Sequence, residues 1–418
     1  MDVDYRKRLI DVELAMVLQV KGIVLLEGPR ACGKTATTLE HSASLVKLDT
    51  DQNALQLAEV DPQSLLQGVM PRGIDEWQLA PQLWNYARHE VDALGSNATY
   101  IFTGSAVPAD DKTRHSGAGR AVRLRMRPMS LFESGLSAGE VSLHELVRQG
   151  TVPKAPRKEF PLDDVIEAIC RGGWPGMLSL PLNLAQRRLR GYMSEVARVD
   201  IQNADKSTRN PIKVAALLAS LGRNVGTEAS KKTILEDVGD LGPETYDTLA
   251  SYVSDLERIF VLEPLPAWPT HMRSKSVAKK SSKWHFVDPS LAVAAVDGTP
   301  EKLRNDLNYV GFLFESLVIR DLRIYSQVDE GKVWHYRDSS GLEVDAIVSY
   351  DYGQWAAIEV KLGFNQVDAA AANLLKFASK VDDSKMGKPG ALIVVVPGGW
   401  AYTREDGVHV VPINHMRN

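Results

Sequence analysis

The amino-acid sequence predicts a multidomain α/β protein whose first domain is built on a doubly wound parallel sheet. With 418 residues, the chain is too long for one ordinary hydrophobic core. Short apolar runs alternate with helical stretches until Pro128, where this rhythm stops. Such alternation is typical of parallel strands covered by helices. The predicted strands are 22–27, 44–49, 73–75, 98–104 and 121–126.

The composition is typical of a globular protein in a reducing compartment. The apolar fraction is 44% and the charged fraction is 24%. At a net charge of −4, nucleic-acid binding would need a local basic patch. We find no run of about 18 apolar residues and therefore expect no membrane span. The acidic N-terminal residues argue against a signal peptide, and two cysteines cannot form a disulfide framework, so we expect a cytoplasmic protein.

The segment Gly-Pro-Arg-Ala-Cys-Gly-Lys-Thr at 28–35 has the spacing of a phosphate-binding P-loop, with an apolar strand before it and a helix after it. Two glycines let the backbone curl so that successive N–H groups face phosphates. Lys34 can reach the β- and γ-phosphates, and the Thr35 hydroxyl can ligate Mg²⁺. We therefore predict that the chain binds ATP with Mg²⁺. The predicted nucleotide contacts are Gly28, Pro29, Arg30, Ala31, Cys32, Gly33, Lys34, Thr35 and Ala36.

Two acidic residues downstream of the P-loop are candidates for the hydrolytic machinery. A P-loop enzyme needs a carboxylate near the metal and a group that orients the attacking water. We predict that Asp75 holds Mg²⁺ through water and that Glu76 polarises the nucleophile. A surface Asp-Glu pair at a helix start is the alternative, because the run 69–74 is less apolar than a buried strand should be.

Two further elements could complete an ATPase site. Thr103 and Ser105 end an apolar strand, where a sensor of the γ-phosphate would lie; a strand end without any contact is the alternative. Arg120 precedes the last predicted strand, and in a ring of subunits it could reach a neighbour's nucleotide. We favour this role for Arg120 over Arg114, Arg123 or Arg125, and the alternative is that all are solvated.

These motifs together resemble the AAA+-type ATPases of prokaryotes that carry a C-terminal domain of unknown function named DUF4143. The motifs are 28–35, 74–78, 102–106 and 119–133, and the turn 172–175 (Gly-Gly-Trp-Pro) resembles the helical-lid signature of that family. The resemblance covers nearly the whole chain. It implies ATP hydrolysis with Mg²⁺ and a homo-oligomer, with a ring as one form.

The last segment contains a second group of charged residues. Glu315 lies on a predicted helix, Asp345 opens a predicted strand, and Glu359 and Lys361 share one face at the end of the next. Two carboxylates and a lysine on adjacent strands can bind Mg²⁺ and activate water for phosphodiester cleavage. The order resembles that of PD-(D/E)xK nucleases, a restriction-endonuclease-like fold. Alternatively, the domain keeps this scaffold only to bind DNA or to pack a ring.

The middle of the chain predicts three short helices followed by a strand at 259–265, the pattern of a winged helix or of another small helical bundle. Its third helix begins with acidic residues, so a protein contact is as good an interpretation as DNA binding. Residues 266–283, proline-rich and then basic, predict a linker. The predicted domains are an ATPase core at 1–135, a helical lid at 136–205, a winged-helix-like domain at 206–268 and a nuclease-like domain at 284–418.

Three functions fit these predictions. The first is an ATP-hydrolysing protein whose nucleotide state moves or assembles the appended domains, with DNA as a candidate partner. The second is an ATP-dependent nuclease, and the third is a nucleotide-switched scaffold. The tryptophans Trp334, Trp355 and Trp400 are interpreted as core residues rather than stacking platforms for bases.

Overall fold

The computed structural model describes residues 5–95, 97–105, 119–202, 209–269 and 281–418. Arg114, Ala106 of the motif 102–106 and most of the predicted linker lie outside these residues. The chain divides into two compact units. Unit 1 contains Met1–Pro128, Arg198–Arg209 and Val253–Val261, and unit 2 contains Met129–Ala197, Asn210–Tyr252 and Leu262–Asn418.

Unit 1 is an α/β layer around a parallel sheet with the strand order β2-β3-β4-β1-β5. Its strands are β1 (Ile23–Glu27), β2 (Ser44–Lys47), β3 (Arg72–Asp75), β4 (Tyr100–Gly104) and β5 (Ala121–Arg125). Its helices are α1 (Ile10–Leu18), α2 (Lys34–His41), α3 (Gln52–Val60), α4 (Pro62–Leu66) and α5 (Leu83–Leu94). The predicted strands agree with the observed ones to within a few residues, and the parallel α/β layer is confirmed.

Strand β3 has a lower apolar content than a buried strand usually has, and its packing explains why. Gly73 has no side chain, and a Cβ placed there would lie 2.7 Å from both Leu45 Cδ1 and Thr38 Cγ2. Helix α2 and strand β2 therefore cover this position closely, and an apolar side chain would not fit. Ile74 and Asp75 are buried all the same, so the strand belongs to the core despite its low apolar content.

Unit 2 combines helices with a mixed sheet of strand order β11-β12-β10-β9-β8-β7. Its helices are α6 (Leu131–Ser134), α7 (Leu143–Gln149), α8 (Leu162–Arg171), α9 (Leu182–Glu195), α10 (Pro211–Arg223), α11 (Lys231–Val238), α12 (Tyr246–Arg258, of which the residues from Val253 belong to unit 1), α13 (Pro289–Ala295), α14 (Pro300–Arg304), α15 (Leu307–Gln327), α16 (Val367–Lys380) and α17 (Asp383–Met386). Its strands are β6 (Val141–Ser142), β7 (Lys332–Arg337), β8 (Glu343–Ser349), β9 (Trp355–Val360), β10 (Ala391–Val396), β11 (Tyr402–Thr403), β12 (His409–Pro412) and β13 (Met416–Arg417).

Neighbouring strands of the mixed sheet run antiparallel in the pairs β7–β8, β8–β9 and β11–β12, and parallel in the pairs β9–β10 and β10–β12. Strands β6 and β13 form a separate parallel pair. The long helix α15 is buried along most of its length. Its position against β7, β8 and β9 brings Glu315 to the carboxyl end of β9.

The Gly-Gly-Trp-Pro turn lies against a buried ion network in unit 2. Arg320 of α15 contacts Asp288 at 2.8 Å and Asp321 at 2.7 Å. The Gly173 amide donates to Asp288 at 3.0 Å, and the Leu131 amide donates to Asp321 at 3.0 Å. The first residues of α6 are thus tied directly to α15 through Asp321, and the turn is tied to α15 through Asp288 and Arg320. Hydrogen bonds to charged groups are stronger than neutral ones.

The middle of the chain contains the predicted helices, but not the predicted strand. Residues Leu262 and Leu265 form only single bridges, with Phe286 and Lys283 respectively. Pro264 and Pro266 interrupt the segment, and proline cannot donate to a strand ladder. No helix among the described residues is long and apolar enough to cross a membrane.

Candidate functional site

The P-loop connects β1 with α2 at the carboxyl edge of the parallel sheet. A Cβ at Gly28 would lie 2.0 Å from the Met126 carbonyl oxygen, so only glycine fits there. Gly33 has φ 113°, in the region that favours glycine. The loop therefore takes a tight backbone path, and α2 begins at its end with its N–H groups available for phosphates.

The P-loop lysine is held by the loop itself. Lys34 is buried, and its Nζ donates to the carbonyl oxygens of Gly28 at 2.9 Å and Pro29 at 2.8 Å. Carbonyl oxygens carry only partial negative charge, so an anionic phosphate is a stronger partner for an ammonium group. The side chain is therefore oriented along the loop by contacts that a nucleotide can replace.

Asp75 lies beside the P-loop hydroxyl. Thr35 Oγ1 donates to Asp75 Oδ2 at 2.7 Å, and the Thr103 hydroxyl donates to Asp75 Oδ1. Three groups predicted separately, from α2, β3 and β4, thus meet at one point. The hydroxyl and carboxylate oxygens are the hard donors that Mg²⁺ prefers, so these residues fit the ion that a P-loop implies.

Glu76 follows Asp75 in an unusual backbone conformation. Its φ of 54° is rare for a residue with a side chain. Its carboxylate accepts hydrogen bonds from Gln78 Nε2 and, at 3.1 Å, from Ser105 Oγ. Ser105 therefore contacts Glu76, and Thr103 contacts Asp75. Strained backbone of this kind is frequent at functional sites.

Arg120 stands at the opposite edge of the sheet from its own P-loop. It precedes β5, which runs parallel to β1 with Ala121 beside Ile23, and its side chain pairs with Asp92. Arg123 pairs with Glu27, and the Arg125 guanidinium lies 4.8 Å from the centre of the Phe260 ring. The structure therefore does not bring Arg120 to the nucleotide site of the same chain.

Three residues near the P-loop were not predicted. Arg8 is buried and donates to the carbonyl oxygens of Cys32 at 2.9 Å and Arg127 at 2.8 Å. Asp200 forms an ion pair with Arg30 at 2.8 Å. Gln78 contacts Glu76. Arg8 and Asp200 are distant in sequence from the motif and carry no local signal, whereas Gln78 lies within the motif 74–78 and could have been considered with it.

The four charged residues predicted in the last segment do converge in unit 2. Lys361 Nζ lies 2.6 Å from Glu359 Oε2 and 3.1 Å from Asp345 Oδ2. Glu315 joins them through a fifth residue, Lys283, whose Nζ lies 2.9 Å from Glu315 Oε1 and 3.9 Å from Asp345 Oδ1. We refer to these five residues and Glu343 as the charged cluster.

A cavity of about 710 Å³ opens at the charged cluster. Its lining includes Lys283, Glu315, Glu343, Asp345 and Lys361. A ligand in this cavity would therefore meet charges of both signs. Among the described residues, no group of three or more His, Cys, Asp or Glu side chains is arranged to hold a metal ion.

Burial and neighbouring charges shift the pKa values of the cluster. Burial raises the pKa of Glu315 to about 8, against the opposing charge of Lys283. Burial and the charge of Asp345 raise the pKa of Glu359 to about 7. Burial also acts to raise the pKa of Asp345, but the charges of Lys361 and Lys283 and a hydrogen bond from the Val360 amide outweigh it and lower that pKa.

Lys283 ends the predicted linker 266–283, whereas its side chain is only 3% exposed in the structure. The local sequence gives no signal of this burial, because Lys283 directly follows Ser281 and Ser282 at the end of a basic stretch. The interpretation of Trp400 as a core residue is wrong, because Trp400 is 57% exposed and the Arg157 guanidinium lies 5.0 Å from the centre of its ring. Trp355 is buried, as expected.

Three family models match parts of the chain. Residues 20–134 match the AAA domain, residues 162–302 match DUF8612, a domain of unknown function, and residues 310–416 match DUF4143, another domain of unknown function. No curated protein matches the chain. Among solved structures, a Walker-type ATPase of Pyrococcus abyssi is 14% identical, with a TM-score of 0.44 over 70% of this chain and 97% of that chain.

The chain thus carries a P-loop ATPase domain of the AAA type and a DUF4143 domain. These two parts of the sequence-based prediction are confirmed. The parallel sheet of unit 1 is the α/β scaffold expected for the first of them.

Proposed function

We propose that this protein binds ATP with Mg²⁺ at residues 28–36 and hydrolyses it, and that its nucleotide state moves or assembles the appended domains. The observation that carries this proposal is the meeting of Thr35, Asp75 and Thr103 beside the P-loop, with Glu76 next to them. We propose the domain organisation that the sequence predicts. It consists of an ATPase core at 1–135, a helical lid at 136–205, a winged-helix-like part at 206–268 and a nuclease-like part at 284–418.

Each residue has a distinct role in this reaction. Lys34 exchanges its carbonyl partners for phosphate oxygens and stabilises the charge that develops during transfer. Glu76 accepts a hydrogen bond from the attacking water, whose oxygen forms a bond to the γ-phosphorus while the bond from that phosphorus to the bridging oxygen breaks. ADP leaves with the electron pair of the broken bond, and the proton of the water passes through Glu76 to the released phosphate. The Thr35 hydroxyl, and Asp75 through water, would hold Mg²⁺, which would neutralise charge on the phosphates.

The contacts of Glu76 suggest how its activity is controlled. Gln78 and Ser105 both donate to its carboxylate. A carboxylate that accepts two such bonds is a weaker acceptor for water. We propose that nucleotide binding redirects Ser105 or Gln78 towards the γ-phosphate, which frees Glu76 to orient the water.

Arg120 is proposed to act on the nucleotide of a neighbouring subunit. Its position at the far edge of the sheet and its exposed pairing with Asp92 are compatible with a contact outside its own chain. Mixing Arg120→Ala subunits with Lys34→Ala subunits tests this role. Recovery of ATPase activity in the mixture is expected, whereas no recovery together with a monomer in solution would contradict it.

Phosphate release from ATP tests the central proposal. The Lys34→Ala variant should lose at least about 100-fold in turnover, because a preorganised charge is removed from the transferred phosphoryl group. Lys232→Ala is the matched control, since Lys232 is 72% exposed on helix α11. Equal turnover in wild type and Lys34→Ala would refute the proposal.

A second candidate function is cleavage of nucleic acid at the charged cluster. The convergence of Glu315, Asp345 and Lys361 at one cavity, with Glu359 in contact with Lys361, favours it. Incubating plasmid and single-stranded DNA with Mg²⁺ or Mn²⁺ tests it, with Lys361→Ala beside the wild type. Cleavage that this variant loses supports the function, and intact DNA with both proteins rejects it.

A further inference from the structure

Lys283 holds the centre of the charged cluster, although it lies outside the DUF4143 match. Its Nζ is 2.9 Å from Glu315 Oε1, 2.9 Å from Glu343 Oε1 and 3.9 Å from Asp345 Oδ1. The residue belongs to the part of the chain that matches DUF8612, whereas the three carboxylates belong to residues 310–416. The cluster is therefore composite, and the DUF4143 segment alone lacks its central cation.

The backbone of Lys283 is fixed on both sides. Its N–H donates to the Leu265 carbonyl at 2.9 Å, and its own carbonyl accepts from the Leu265 N–H at 2.9 Å. The next residue, Trp284, donates from its indole to the Ala229 carbonyl at 2.7 Å. Lys283 can leave the cluster only by a change of side-chain rotamer, and this would leave Glu315 buried without its partner, which is costly.

The position of this ammonium group conflicts with a divalent ion. A magnesium ion bound to Glu315 and Glu343 would sit about 2 Å from their oxygens, within the space that Nζ now holds. Two cations so close in a buried site repel each other strongly. The carboxylates can therefore be neutralised by the lysine or by the metal, but not by both in this arrangement.

We propose that Lys283 is the resident cation of the charged cluster and excludes divalent metal ions from Glu315, Glu343 and Asp345. The natural protein then offers the cavity two lysines, Lys283 and Lys361, and no metal. This inference rests on the cluster being a functional site, and it restricts the second candidate function, because metal-dependent cleavage would require Lys283 to withdraw.

Manganese binding to the full chain tests the proposal. All proteins carry Asp75→Asn, so that the proposed carboxylate of the nucleotide site is absent, and binding is measured by calorimetry and by electron paramagnetic resonance. We expect no site in the otherwise natural chain that depends on Asp345. Lys283→Met should add one Mn²⁺ site, which raises the apparent affinity of the chain for Mn²⁺ about 10-fold or more, and Asp345→Asn should remove that site. Lys232→Met is the control and should not gain a site.

The proposal can still be tested if the Lys283→Met variant does not fold. Circular dichroism checks the fold, and Lys283→Gln, which keeps a polar side chain that can donate a hydrogen bond to Glu315 while losing the positive charge, is the second variant. Mn²⁺ binding to the chain with natural Lys283 that disappears with Asp345→Asn would overturn the inference without any lysine variant. A folded Lys283→Met or Lys283→Gln variant that gains no Mn²⁺ would also overturn it.

Metal binding and DNA cleavage are read separately, so the two proposals can fail independently. If Lys283→Met gains Mn²⁺ but no protein cuts DNA, the resident-cation inference stands and the nuclease function fails. If the chain with natural Lys283 binds Mn²⁺ through Asp345 and cuts DNA, the nuclease function stands and the inference fails.

Discussion

The nucleotide site and the charged cluster each contain a buried lysine, but the two lysines have different partners. Lys34 donates to two backbone carbonyl oxygens of its own loop. Lys283 contacts carboxylates from helix α15 and strand β8. The Lys34 ammonium group would form a stronger interaction with a phosphate than with its present carbonyl partners. The Lys283 ammonium group already has ionic partners. The P-loop is thus arranged for an external anion, and the charged cluster largely satisfies its own charges.

This difference follows from how each site is built. The P-loop is one continuous segment whose shape depends on backbone geometry at Gly28 and Gly33. The charged cluster is assembled by packing, with Lys283 and Glu315 coming from separate segments. Substitutions should therefore affect ligand binding most at the first site and stability most at the second.

The largest effect on stability is expected from Lys283→Met. Removing the cation that Glu315, Glu343 and Asp345 share leaves buried carboxyl groups without their partner, which costs about 3–5 kcal/mol. Lys361→Met should cost less, because that side chain is 24% exposed rather than 3%. Urea unfolding at neutral pH measures both, with Lys232→Met as the surface control. A loss for Lys283→Met no larger than for the control would contradict the difference between the two sites.

The next largest effect on stability is expected from Gly28→Ala. The added Cβ would approach the Met126 carbonyl oxygen, which is backbone and cannot yield easily, so the loop must shift. We expect a loss of about 1–3 kcal/mol in stability and weaker nucleotide binding. Gly191→Ala is the matched control, because a Cβ there meets nothing within 4 Å. Thermal unfolding and nucleotide titration of the two variants would show whether the tight loop path matters.

A smaller effect on the free energy of unfolding is expected from a change of pH. Burial raises the pKa of Glu315 to about 8, whereas in an unfolded chain the pKa of glutamate is about 4.3. Between about pH 4.3 and pH 8 the folded state therefore binds more protons than the unfolded state. The free energy of unfolding consequently falls as the pH rises through this range. One such group contributes at most about 1.4 kcal/mol per pH unit.

Urea unfolding at several pH values between about 5 and 8.5 measures this slope. Glu315→Gln should flatten it, and Glu236→Gln, on an exposed side chain, should not. An unchanged slope in Glu315→Gln would contradict the raised pKa and would mean that Glu315 stays charged across this pH range, as an ion pair with Lys283. That outcome would sharpen the comparison by showing full charge separation within the cluster.

The sequence predicts the nucleotide site better than the charged cluster, because the P-loop signal is local. Its spacing is visible in eight residues, and the strands before Asp75 and Thr103 end at the same sheet edge. Lys283 could not be found in this way. It lies in a basic stretch whose local pattern indicates a solvated linker, and only packing against α15 explains its burial.

Other differences between the sequence-based predictions and the structure also have physical causes. Strand β3 looks weak because Gly73 is needed for the close approach of Thr38, which a scale of apolar content does not record. Arg8 and Asp200 reach the P-loop from distant segments. Trp400 has an ordinary core residue type but lies on the surface beneath Arg157. Contacts between distant segments, rather than the elements themselves, are what the sequence does not reveal.

The most direct test of the account is a comparison of ATP binding and ATP hydrolysis in the Glu76→Gln variant. The side chain keeps its size but loses the charge that orients water, so we expect bound ATP and a hydrolysis rate lowered by about 10²–10⁴-fold. Glu59→Gln on the exposed face of α3 is the matched control and should hydrolyse ATP like the wild type. Hydrolysis by Glu76→Gln at the wild-type rate would contradict the account.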